Sequence, residues 1–148
     1  MIKPLILLLC TFGVLSAVDL TGTWKLDTAK SKYEGIPAPK EETVTITANG
    51  KGFDMAVGTS PTGQSVRSTV KEGEQIVLWI PSSITNWDDL VIKRVNRNKA
   101  EAELNRGGKS VGEATRVLDQ DGRVYTVSGK VKLSDGKTAR FKAVYTKQ

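Results

Sequence analysis

From residue 20 onward the sequence keeps one pattern: short runs of alternating apolar and polar side chains, broken by turn-forming residues. Neighbouring side chains in a strand point to opposite faces, so a period of two buries one face of a sheet and no stripe of a helix. The runs fall at 20–27, 42–48, 52–58, 64–71, 74–80, 89–95, 99–105, 110–118, 123–133 and 137–147. Between most of them stand short turn signals, among them Asn49-Gly50, Ser60-Pro61-Thr62-Gly63, Glu72-Gly73, Arg106-Gly107-Gly108 and Ser134-Asp135-Gly136. The one long connection, 28–40, holds Gly35, Pro37 and Pro39. It has room for a single helical turn at 30–35, and the prolines stop anything longer.

Ten strands at a spacing of about eight to twelve residues predict an all-β sandwich or barrel. Short turns favour a meander in which each strand pairs with its predecessor. A long meander exposes two edges unless it closes, so the expected architecture is a single up-and-down antiparallel β-barrel of about 8–10 strands. Barrels of that size can hold one small ligand.

The residues ahead of this pattern read as a leader. Lys3 precedes an apolar run at 5–15, and Ser16-Ala17 supplies small residues for cleavage. The run is shorter than the roughly 20 residues that span a bilayer. The expected organisation is therefore a signal peptide at 1–17 and one β-barrel domain at 18–148, secreted or periplasmic, with no transmembrane segment after cleavage. Cys10 lies in the leader and is the only cysteine. Lipidation there is disfavoured because Leu9 occupies a position where a lipoprotein signal requires a small residue.

There is no histidine. Without it, and without a cysteine beyond the leader, the usual zinc sites and the commonest general base are missing. No metal, no cofactor and no enzymatic activity are expected. The net charge of +6 raises the question of nucleic acid. The cations, however, are dispersed among acids, and the densest stretch, 93–99, surrounds a turn. A solvated basic surface is the expectation, with no nucleic-acid partner. Glu101 and Glu103 share a face, but Ala100, Ala102 and Leu104 are the better inward set. Asp88-Asp89 reads as a surface pair. Asp119-x-Asp121-Gly122 reads as a hairpin turn, since a calcium loop would need a later bidentate Glu.

Arg116 shares parity with Ala114 and Leu118. If that face is interior, the guanidinium needs an anionic partner, from a ligand or from a nearby acid. If the strand faces the other way, it is solvated. Tyr125 and Tyr145 have the inward parity of their strands, either as core rings or as ligand contacts. Phe141 alternates in phase with Ala139, Ala143 and Tyr145.

The opening Leu20-Thr21-Gly22-Thr23-Trp24 resembles the calycin superfamily of lipocalins, fatty-acid-binding proteins and avidins, whose barrels begin with Gly-x-Trp. The resemblance implies that Trp24 plugs one end of a barrel and that Gly22 lets the backbone bend. The closing stretches 114–118, 123–125 and 141–147 resemble the last three strands of fatty-acid-binding proteins. There an inward Arg and an Arg-x-Tyr pair clamp a carboxylate. Arg116 and Tyr145 match two of these positions, while Ala143 stands where the second Arg belongs, and 28–40 is too short for the family's two-helix lid. Leu90 to Arg94, Gly107 to Gly112, Thr115 to Val117 and Val144 to Gln148 resemble small exported bacterial proteins described as lipocalin-like.

Together these readings predict a monomeric, exported, non-enzymatic barrel for a small hydrophobic or amphipathic ligand, anionic or neutral, with Arg116, Tyr125, Phe141 and Tyr145 as ligand contacts. The alternatives are a protein-interaction module or enzyme inhibitor acting through 31–40 or the basic surface, and an enzyme built on carboxylate or tyrosine chemistry.

Overall fold

The computed structural model describes residues 20–49, 52–58, 66–71, 74–81, 83–96 and 98–148. The leader with Cys10, the turns at 60–63 and 72–73, and Gly50 lie outside the described residues. So do the side chains of Phe53, Met55 and Val57.

The described chain is all-β, with no helix. Its strands are β1 (Gly22–Leu26), β2 (Lys32–Glu34), β3 (Thr43–Asn49), β4 (Gly52–Gly58), β5 (Val66–Lys71), β6 (Glu74–Trp79), β7 (Asp89–Val95), β8 (Lys99–Arg106), β9 (Lys109–Leu118), β10 (Val124–Lys132) and β11 (Thr138–Lys147). Nine of them form one antiparallel sheet curled into a half-barrel, in the order β4-β3-β1-β11-β10-β9-β8-β7, with β2 also on β11. β5 and β6 form a separate hairpin.

The predecessor rule holds from β7 to β11 and within the β3–β4 and β5–β6 hairpins. It fails at the beginning of the chain, where β1 pairs with β11 and β3 and not with β2. The expected helical turn at 30–35 is instead the strand β2. Together, β1 and β2 act as one broken strand along β11. Leu26 faces Tyr145 and Lys32 faces Lys142, so five residues on one side lie against two on the other. The surplus loops out as a turn at Asp27, whose Oδ1 accepts from the Lys30 amide at 3.1 Å. The gap in the ladder is filled at Val144. Its carbonyl accepts from the Asp27 amide at 2.7 Å, and its amide donates to Ser31 Oγ at 3.0 Å. No backbone group of β11 is stranded where β1 gives way to β2.

Alternation decides which face is buried. Ala100, Ala102 and Leu104 point inward on β8, Ala114 and Leu118 on β9, Val127 and Val131 on β10, and Ala139, Phe141 and Ala143 on β11. Each large aliphatic side chain withdrawn from water contributes about 1.5–3 kcal/mol. Between β9 and β10 the backbones come close at two glycines. A Cβ on Gly129 would collide with the Glu113 carbonyl oxygen and lie 2.9 Å from Ala114 Cα. A Cβ on Gly112 would meet the Lys130 carbonyl and Val131 Cα in the same way. Only glycine lets the two backbones approach this closely.

The connection from β6 to β7 closes one end. Asn86 Nδ2 donates to the Lys132 carbonyl, Arg106 donates to Asn86 Oδ1, and Asp88 Oδ2 accepts from the Gly107 amide. No helix among the described residues is long and apolar enough to cross a membrane.

Candidate binding site

At the other end of the half-barrel, β6 delivers Trp79 to the concave face. The ring of Trp79 stacks on Tyr125 with centroids 3.6 Å apart and planes 5° from parallel. Trp24 lies 5.8 Å from Trp79 and 6.1 Å from Tyr125, and Tyr145 meets both Trp79 and Tyr125 edge-on. All four rings are fully buried. Edge-to-face and offset arrangements of this kind contribute beyond their area alone.

The two residues expected to form the end plug meet here. The Trp24 indole donates to the Leu20 carbonyl at 3.0 Å, which ties the chain entry across the ring. Gly22 has φ +124°, a conformation that L side chains rarely adopt, and the Lys147 side chain passes 3.0 Å from where its Cβ would be. The Lys147 ammonium then sits 5.7 Å from the Trp24 ring.

Tyr125 does more than pack. Its hydroxyl accepts from the Trp79 amide and donates to the Trp79 carbonyl, both at 2.9 Å. One phenol oxygen thus satisfies both outward backbone groups of Trp79, as a neighbouring strand would. Burial pushes the Tyr125 hydroxyl well above the usual tyrosine range, against the pull of the Arg116 charge and the Trp79 amide.

Arg116 lies inside, 4 % exposed, with Val127 and Ala100 as its cross-strand neighbours. Desolvation lowers its pKa, and the nearby Tyr125 oxygen partly offsets this. Of the two orientations open from sequence, β9 takes the inward one.

A second polar group sits beside Tyr145, whose hydroxyl donates to Glu42 Oε1 at 3.1 Å. Glu42 is 1 % exposed, and its carbonyl takes the Leu26 amide at 2.9 Å. Burial first, and the Glu42 charge second, hold the Tyr145 hydroxyl well above its ordinary pKa. Tyr33, on β2, faces Phe141 across the ladder. Burial and Glu42 raise its hydroxyl too.

Sequence reasoning selected Arg116, Tyr125, Phe141 and Tyr145, and all four are buried on the one concave face. It missed Glu42 and Tyr33 and did not select Trp79. Glu42 stands at the start of a strand, among Lys40 and Glu41, and nothing in that run distinguishes it from its exposed neighbours. Tyr33 is the one apolar residue of a three-residue strand.

Among the described residues, Trp79 Nε1 and the Tyr33 hydroxyl in this region are buried with no hydrogen-bond partner. Groups of this kind normally find a partner. Among the described residues no cluster of three metal-ligating side chains occurs. The acids singled out in the sequence play other parts. Glu101 and Glu103 face outward against Lys99 and Lys93. Asp119 Oδ1 accepts from the Arg123 and Val124 amides at 2.7 and 3.0 Å, closing a hairpin turn.

Comparison of the chain with protein-family models, with curated proteins and with solved structures returned no match.

Proposed function

We propose that this chain is a non-enzymatic binding protein for a small amphipathic molecule whose polar end accepts hydrogen bonds or carries negative charge. In this reading the β5–β6 hairpin completes the half-barrel into a calycin-like barrel, the apolar part of the ligand lies along the concave face, and its head group meets Arg116, Trp79 and Tyr33. The reading extends to export, with the leader at 1–17 removed.

The observation that carries it is the pair of unused buried donors, Trp79 Nε1 and the Tyr33 hydroxyl, on an interior face that also holds Arg116. A core built for stability alone loses about 1–3 kcal/mol for each buried donor left unsatisfied. A carboxylate, carbonyl or similar acceptor on a ligand removes that loss and complements the guanidinium. Tyr125 and Tyr145 are engaged by Trp79 and Glu42, and so shape the wall. Phe141 supplies apolar surface beside Tyr33.

Native mass spectrometry and solvent extraction of protein purified from its source test the proposal. A bound small molecule is expected in the wild type and absent in Arg116→Met. Removing one member of a buried charged pair can cost about 3–5 kcal/mol, so the fold of the variant is checked by far-ultraviolet circular dichroism, and Tyr33→Phe, which takes away a single donor, is tested beside it. A bare mass for the wild type, or an unchanged ligand load in the variant, refutes the reading.

A further inference from the structure

We propose that the outer face of β10 and β11 carries a second binding site, for phosphate, either free or as a phosphate monoester. Arg140 lies between the buried Ala139 and Phe141, so it points away from the concave face. The site is therefore independent of the interior one.

The ladder places Lys130 opposite Arg140 and Lys132 opposite Thr138. These side chains, with Ser110 and Glu113, line a cleft of about 320 Å³. Directly opposed side chains in an antiparallel pair have Cβ atoms about 4.5–5.5 Å apart, and like charges placed so are destabilising. The pairing of Lys130 with Arg140 thus sets two cations side by side on this face. Of the acids nearby, Glu113 reaches Lys130 at 3.7 Å, Glu103 holds Lys93 at 3.4 Å, and Glu34 stands opposite Arg140 on β2 without coming within 4 Å of it. Among the described residues, no carboxylate lies within 4 Å of Lys132 or Arg140.

The cleft therefore offers a planar guanidinium fork, a point-charge ammonium and two hydroxyls to a compact anion with several acceptor oxygens. Its size is at the small end of ligand sites. No aromatic ring lines it, so it has no stacking platform for a nucleobase. Its walls are ladder strands rather than loops, and Asn86 Nδ2 donates to the Lys132 carbonyl, so the backbone that carries the cations is held.

Isothermal titration and amide chemical-shift mapping with inorganic phosphate and with glycerol 3-phosphate test the site. Saturable one-to-one binding is expected, with shifts centred on β10 and β11. Lys132→Gln/Arg140→Gln should weaken it at least tenfold. Lys25→Gln/Arg123→Gln, exposed cations outside the cleft, removes the same charge and should change it less than twofold. Similar affinity for the two probes identifies the free anion as the ligand, and a tenfold preference for glycerol 3-phosphate identifies a monoester. Equal losses in both double variants, or no saturation by either probe at millimolar concentration, overturn the proposal.

Discussion

Replacing Tyr125 with Phe removes one oxygen and strips two backbone groups of their partner. The Trp79 amide and carbonyl both use the Tyr125 hydroxyl at 2.9 Å, and Trp79 is fully buried. Each group left unsatisfied costs about 1–3 kcal/mol. The stacked ring is kept, so aromatic packing is little changed and the sum is a loss of about 2–6 kcal/mol. The matched control is Tyr33→Phe, whose hydroxyl has no partner among the described residues. Its removal in ligand-free protein should raise stability by about 1–3 kcal/mol, because an unsatisfied buried group is lost. Urea denaturation followed by far-ultraviolet circular dichroism measures both, with the midpoint compared at constant slope. If the two variants agree within about 0.5 kcal/mol, Tyr125 is not acting as a surrogate strand for Trp79, and the argument from unsatisfied groups fails.

Alkaline titration is informative because the chain has three tyrosines, and all three have raised pKa values. Unfolded tyrosines ionise near 10, so above that pH the unfolded state holds fewer protons than the folded one and stability falls as pH rises. Tyr125 and Tyr145 together should cost about 3 kcal/mol per pH unit, and tyrosinate absorbance should rise only as the sheet unfolds. Ionisation of a full tyrosine complement in folded protein near pH 10 would contradict the burial. Gly129→Ala should destabilise by about 2–4 kcal/mol in the same urea assay, because the colliding atom is backbone and cannot swing aside; a neutral result would mean that β9 and β10 are not so closely apposed. Asp119→Ala should cost about 1 kcal/mol through its lost turn hydrogen bonds, and millimolar calcium should leave the wild-type melting temperature unchanged.

The period of two in residues 99–147 made one face legible, because burial there is decided side chain by side chain. Ala100, Ala102 and Leu104 face in while Glu101 and Glu103 face out, and the same parity carries Arg116, Tyr125 and Tyr145 to one surface. Pairing between distant strands was not legible. Local turns say which strands are consecutive, whereas β1 beside β11 is a contact between the two ends of the described chain. β2 escaped notice because its three residues form a strand only through β11 and the Ser31 hydroxyl. The burial of Glu42 depends on Tyr145, 103 residues away, and leaves no mark in the local pattern.

The last strand, β11, is hydrogen-bonded to β10 along its length and to β1 and β2 on its other edge. Without β11, β10 would present a bare edge, β2 would have no partner and β1 would keep only β3, so this one strand is what joins the early and late parts of the sheet and shields both flanks from proteases.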